Sequence, residues 1–109
     1  MIGWKQAYTL DRYNIVLVKL DIPDDTKVYQ PRKKWQREAG HWCCDKARVL
    51  SITSLDGKRR VRDAVSMKDG NFLYRVGETV TLGKQDISYG LCPGIYFFKT
   101  KQQAIKYEF

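Results

Sequence analysis

The sequence predicts an α+β domain: a small, mainly antiparallel β-sheet or partly closed barrel with one short C-terminal helix. Three observations carry that expectation. Tyr13–Ile22 (YNIVLVKLDI) is β-branched and almost continuously apolar. Asp-Gly pairs at 56–57 and 69–70 punctuate the chain as turns. Thr100 and Gln103 stand in capping-box spacing near the C-terminus. The 109 residues make a single domain, 1–109, long enough to bury about two-thirds of its unfolded surface.

Each element follows from local chemistry. The run Tyr13–Ile22 suits a central strand buried on both faces, and Pro23-Asp24-Asp25 ends it with turn-forming residues. Residues 26–41 show no clean period. Pro31 and Gly40 bracket the one turn of helix that Lys33–Glu38 offers, so this stretch is expected to be an irregular basic loop. Trp42–Ser54 reads as a second strand, with Ala47, Val49 and Ser51 on one side and Arg48, Leu50 and Ile52 on the other. After the turn at Asp56-Gly57, Val61–Ser66 is expected to return antiparallel. Asn71–Val76 and Glu78–Leu82 follow as short strands meeting at a bend on Gly77. Gly83–Pro93 is a polar loop and Gly94–Lys99 (GIYFFK) the last strand. In the closing helix, Thr100 is the N-cap while Ala104 and Tyr107 face inward.

Charge is the distinctive feature. Twenty Lys and Arg against twelve Asp and Glu leave the chain at +8. Eleven basic residues lie between Lys27 and Arg62 against three acids, so this window holds the whole excess. Aromatic residues are interleaved with the cations. A solvated loop beside a hairpin tip would account for the charges alone; the interleaving points instead to an anion-binding face. Arg32, Lys34, Arg37, Arg48, Arg60 and Arg62 are the candidate phosphate donors, and Tyr29, Trp35 and Trp42 the candidate stacking rings. Arg48, Arg60 and Arg62 have the best prospects of fixed geometry, because a hairpin would align Arg48 with Arg60 or Arg62 across its ladder.

Other chemistry finds little footing. His41, Cys43 and Cys44 cluster in sequence, but consecutive strand residues point to opposite faces and no C-x-x-C spacing occurs, so no metal site is expected. Any Cys–His pair would have to use His41, the single histidine, and nothing around it matches a nucleophile signature. Phosphate-cradling glycine motifs are absent. Asp24 and Asp25 read as turn formers, and Asp63, framed by Arg60 and Arg62, as a local charge balance. No catalytic residues and no cofactor are assigned. The N-terminus carries no hydrophobic signal core, no apolar run exceeds that of Ile15–Val18, and three cysteines, two of them adjacent, make no disulfide framework. The expected location is the cytoplasm.

Four segments in order give a resemblance. They are Leu17–Asp24 (LVKLDIPD), Cys44–Ile52 (CDKARVLSI), Phe72–Val80 (FLYRVGETV) and Cys92–Phe98 (CPGIYFF), with Ala104 and Tyr107 beyond. The chain resembles, over about residues 14–107, a domain of unknown function found in tailed phages, large DNA viruses and some bacteria, often attached to pentapeptide repeats. Members commonly read Gly-Ile-His-Phe-Phe where this chain has Tyr96, so any acid–base role of that histidine is lost here. The basic stretch Tyr29–Trp42 lies outside the pattern. The resemblance implies a phage-type accessory domain, acting in the cytoplasm of an infected host cell, and supplies no activity.

Three functional expectations remain. The first is a non-catalytic, sponge-like protein that sequesters an anionic ligand, above all a nucleotide or a nucleotide immune signal. Its small size would favour a homo-oligomer with sites between protomers. The second is a nucleic-acid-binding module, whose affinity would fall steeply with salt. The third is a protein-interaction domain that inhibits an acidic host partner, anchored by Trp4, Trp35 and Trp42.

Overall fold

The structure, a computed structural model, describes residues 1–31, 33–67, 73–81, 87–88, 92–93 and 95–107. Its centre is an antiparallel hairpin of β1 (Ile2–Tyr8) and β2 (Ile15–Asp21), in register from Ile2 opposite Asp21 to Tyr8 opposite Ile15. β2 meets the expectation of a doubly buried strand, with Val16, Leu17, Val18 and Leu20 all buried. No element is expected over β1 from the sequence. Its central polar residues, Lys5 and Gln6, are both buried.

Around this hairpin runs one sheet in the order β3 (Val28–Tyr29), β4 (His41–Cys44), β12 (Ile95–Phe98), β1, β2, β5 (Lys46–Ser54) and β6 (Arg60–Val61). The sheet is mainly antiparallel and does not close into a barrel. The strand expected over 42–54 is divided at Asp45. One side of the division pairs with β12 and the other with β2, so a single ribbon serves both halves of the sheet.

The expected alternation along β5 also breaks. Lys19 faces Ser51 while Leu20 faces Val49, which leaves Leu50 as an extra bulged residue. Beyond the bulge the phase shifts, and Ile52 rather than Ser51 joins Ala47 and Val49 inside. The return strand is interrupted as well. β6 pairs with β5 only at Arg60 and Val61, after which β7 (Asp63–Val65) swings away to β1 and β8 (Leu73–Arg75). β9 (Thr79–Thr81) takes the rest of the β5 edge, and Gly77, with φ of +88°, makes the expected bend before it. Within the expected loop 83–93, β10 (Ile87–Ser88) and β11 (Cys92–Pro93) form a small antiparallel pair. The turn expected at Asp69-Gly70 lies outside the described residues.

Residues 26–41 correct another expectation. They contain β3 and a helix, α1 (Lys34–Glu38), so the described residues hold two helices rather than one. Gly40, at φ +92°, supplies the left-handed stop that lets so short a helix end cleanly, its N–H donating to the Arg37 carbonyl. The C-terminal helix, α2 (Lys101–Lys106), begins as expected: Thr100 Oγ1 accepts from the Gln103 N–H at 3.2 Å. The cysteines depart from expectation too, for Cys43 is disulfide-bonded while Cys44 is a free, buried thiol.

Two cores result. Ala7, Val16, Val18, Leu20, Val49, Ile52 and Phe97 fill one face of the sheet. On the other, α2 packs Ala104 onto Leu17 and Phe98, with Trp4 and Tyr107 at the margin. Gln6 fastens this helix, because its amide Nε2 donates to the carbonyls of Ala104, Tyr107 and Ile105 at 2.8, 3.0 and 3.2 Å. These are C-terminal helix acceptors that lack intrahelical donors. Gln6→Leu is therefore expected to cost about 1–3 kcal/mol, read as a lower denaturation midpoint with an unchanged slope.

Candidate anion-binding site

The hairpin turn sets the site. The Ser54 N–H donates to the Arg59 carbonyl at 2.9 Å, and the Arg59 N–H donates to Ser54 Oγ at 3.1 Å. The Gly57 N–H reaches the Ser54 carbonyl, and the Asp56 carboxylate accepts from the Lys58 N–H at 3.0 Å. Hydrogen bonds from the Ser54 hydroxyl and that N–H hold the Asp56 carboxyl below its ordinary range. This turn registers Arg60 against Thr53 and Val61 against Ile52. Strand alternation then puts Val61 over the core and presents Arg60 on the opposite, solvent-facing side; Arg62, at the bend where β6 ends, is exposed as well.

A second connection completes the wall. Where β6 ends, the Val76 N–H donates to the Arg62 carbonyl at 3.0 Å. Gly77 and Glu78 then pair with Val49 at 2.8 and 2.9 Å. Between this bend and β6 lies a groove of about 520 Å³, lined by Leu50, Ser51, Ile52, Arg60, Val61, Arg62 and Val76. That volume falls within the range of small-molecule sites. Leu50, exposed by the bulge, and Val76 are 38% and 43% exposed and give the groove an apolar wall. Among the described residues neither Arg60 nor Arg62 enters an ion pair, whereas neighbouring Arg75 is held by Asp63 at 3.2 Å. Two forked donors beside apolar surface suit a ligand with a phosphate or carboxylate at one end and a flat apolar part at the other.

The remaining sequence candidates lie elsewhere. Arg48 is exposed on the same strand but stands opposite Asp21 and Thr79, on the far side of the bulge; it does not align with Arg60 or Arg62, because the bend at Gly77 occupies the intervening edge. Lys34 pairs with Glu38 at 3.7 Å across one turn of α1. Arg37 Nη1 donates to the Pro31 carbonyl at 3.0 Å, tying down its own loop. Arg32 lies outside the described residues.

The stacking candidates sit at the opposite end of the sheet order from Arg60 and Arg62. Tyr29 packs beside Cys43, and its hydroxyl donates to Asp45 at 3.4 Å. Burial, and then the Asp45 charge, push that phenol up to about 12. Trp42 packs against the core under the Lys99 ammonium, 3.6 Å from its ring centroid. Trp35 is half-exposed and meets His41 edge-on at 6.3 Å. The basic window is thus divided between two ends of one sheet.

One polar cluster escapes sequence reading altogether. Lys5, 2% exposed, donates from Nζ to the Tyr74 hydroxyl at 2.6 Å, and its amine lies 4.0 Å from the Tyr96 ring centroid. Burial lowers its pKa to about 7, and burial likewise pushes the neighbouring Cys44 thiol up to about 11. Tyr96 is raised by burial as well. A lysine on a strand ordinarily reads as surface, and no motif marks this one. Tyr74 and Cys44 are as deeply buried as Lys5 itself, and the amine serves here as a packed hydrogen-bond donor.

Among the described residues no group of three His, Cys, Asp or Glu side chains is placed to hold a metal, and no helix is long and apolar enough to cross a membrane. A family model, DUF5758, described as a family of unknown function, matches residues 1–104. No curated protein and no solved structure matches the chain.

Proposed function

The chain belongs to this family, and we propose that it is a non-catalytic binding protein for a phosphate-bearing ligand, above all a nucleotide or nucleotide immune signal. The observation that carries this is the pairing of Arg60 and Arg62, free of ion-pair partners among the described residues, over one groove with an apolar wall. Donors without a nucleophile–base pair favour holding a ligand over transforming it. A bounded groove also favours a single small ligand over a long nucleic acid, since Lys34, Arg37 and Arg48 of the basic window do not extend it into a stripe. The phage and viral setting implied by resemblance fits such a sequestering role in the cytoplasm of an infected cell, acting as a homo-oligomer.

Calorimetric titration with nucleotides tests it. Arg60→Ala/Arg62→Ala is expected to weaken binding at least about 100-fold, since each of the two lost charge-assisted hydrogen bonds is worth roughly 1.5–3 kcal/mol. Lys34→Ala, which alters a paired surface residue at the other end of the sheet, should leave affinity within about twofold. Equal affinity of the double variant and the wild type would place the ligand elsewhere. A steep loss of affinity with salt, approaching that of a polyphosphate-tracking surface, would favour nucleic acid instead.

A further inference from the structure

The face that carries Arg60, beside which Arg62 lines the same groove, continues across the sheet. Ser51, which lines the groove, stands opposite Lys19 of β2; Lys19 stands opposite Trp4 of β1; and Trp4 stands opposite Phe98 of β12. Residues directly opposite one another in antiparallel strands project from the same face. Trp4, Lys19 and Ser51 therefore form one lateral row that runs into the groove. Adjacent strands lie about 4.8 Å apart, which separates Trp4 from Ser51 by roughly 10 Å.

Trp4 is well placed to close this row. One side of the indole packs against the cluster of Leu17, Phe98 and Ala104, which fixes it, and the residue remains partly exposed. Two ammonium groups lie over the ring, Lys19 Nζ at 5.3 Å and Lys101 Nζ at 5.8 Å from its centroid, so a base stacked on the indole displaces them to its margin. The row thus presents, in order, an aromatic plate, a pair of ammonium groups, a hydroxyl and two guanidinium groups. Of the chain's tryptophans, Trp35 and Trp42 lie toward the other end of the sheet and cannot complete it.

Resting on the groove as the phosphate site, we infer that Trp4 is the stacking platform for the base of a nucleoside di- or triphosphate. The base lies on the indole, Lys19 and Lys101 flank the sugar and inner phosphate, and Arg60 and Arg62 hold the outer phosphates. The ligand class follows from the length of the row. A group that reaches from the indole to the guanidinium pair must carry a flat ring at one end and an extended anion at the other. Inorganic phosphate does not span it, and a polyanion without a ring gains nothing from Trp4.

The test uses two probes, ADP and pyrophosphate, on the full chain. Trp4→Leu is expected to weaken ADP at least about fivefold, the lower bound for losing one base–aromatic stack, while pyrophosphate affinity stays unchanged. Unchanged pyrophosphate binding also reports that the variant is folded. Separately, in Trp35→Phe/Trp42→Phe, where Trp4 is the one tryptophan left of three, ADP should quench the emission and pyrophosphate should not. If ADP neither quenches that emission nor loses affinity in Trp4→Leu, yet still depends on Arg60 and Arg62, the base lies elsewhere and the groove stands without Trp4. If neither probe binds the wild-type chain, the groove and the platform fall together.

Discussion

Lys5→Met is expected to flatten a rise in stability that the wild-type chain shows between about pH 7 and pH 9. Burial holds the folded-state pKa of Lys5 near 7, against 10.5 for an exposed lysine. Between those values the unfolded chain binds a proton that the folded chain does not, so unfolding takes up a proton and stability increases with pH. Below pH 7 both states are protonated and the term is flat. Each pH unit inside the window is worth about 1.4 kcal/mol, and the rounding near pH 7 leaves a gain of about 2 kcal/mol by pH 9. For a domain of this size that is on the order of 10 °C in melting temperature. Above pH 9 the sign reverses. Cys44, whose folded pKa is raised to about 11, and Tyr29, raised to about 12, contribute stability that is lost as the unfolded thiol and phenol ionise first. Melting temperature against pH should thus peak near pH 9 in the wild type. A wild-type slope that persists in Lys5→Met would show that Lys5 is not its source.

Gly3→Ala should be among the most damaging single-methyl changes in the chain. A Cβ at this position would lie 2.6 Å from Phe97 Cδ2 and 2.8 Å from Ile22 Cδ1. Both neighbours are buried core side chains, so neither can yield toward solvent. Overpacking of this kind costs about 1–3 kcal/mol, and with two contacts this short the upper end is expected. Gly57→Ala is the informative comparison. Nothing lies within 4 Å of its Cβ position, and its φ of +77° leaves only the left-handed strain of roughly 1 kcal/mol. Combining Gly3→Ala with Ile22→Val should recover part of the loss, because the smaller side chain vacates one of the two contacts. Chemical denaturation of the wild type, the three single variants (Gly3→Ala, Gly57→Ala and Ile22→Val) and the double variant checks both the ranking and the non-additivity. Additive losses in the double variant would mean the methyl is accommodated by moving the strand instead.

Local chemistry made much of this fold legible. The buried run of β2, the Asp56-Gly57 turn, the bend at Gly77 and the Thr100 cap each depend on residues within a few positions of one another. β1 was hidden because Lys5 and Gln6 are satisfied by groups 69 and 98–101 residues away. The phase of β5 was hidden for a related reason: the bulge at Leu50 is set by the bend at Gly77–Glu78, which no pattern within β5 encodes. α1, which the sequence offers only as one turn between Pro31 and Gly40, was assigned to the loop because one turn of helix has no period. For the candidate site, Arg60 and Arg62 were visible through their hairpin. The proposed role of Trp4 requires a ladder crossing three strands, and sequence alone offered it only as an interface anchor.

The passage from β4 to β5 through Asp45 has a thermodynamic consequence. One uninterrupted stretch of backbone is bonded to β12 at its start and to β2 along its continuation, while β12 and β2 both flank β1. Neither half can melt away while its counterpart stays intact, because the shared ribbon would have to be native and denatured at adjacent residues. Partial opening is therefore confined to the periphery, and the centre is expected to come apart in a single all-or-none event.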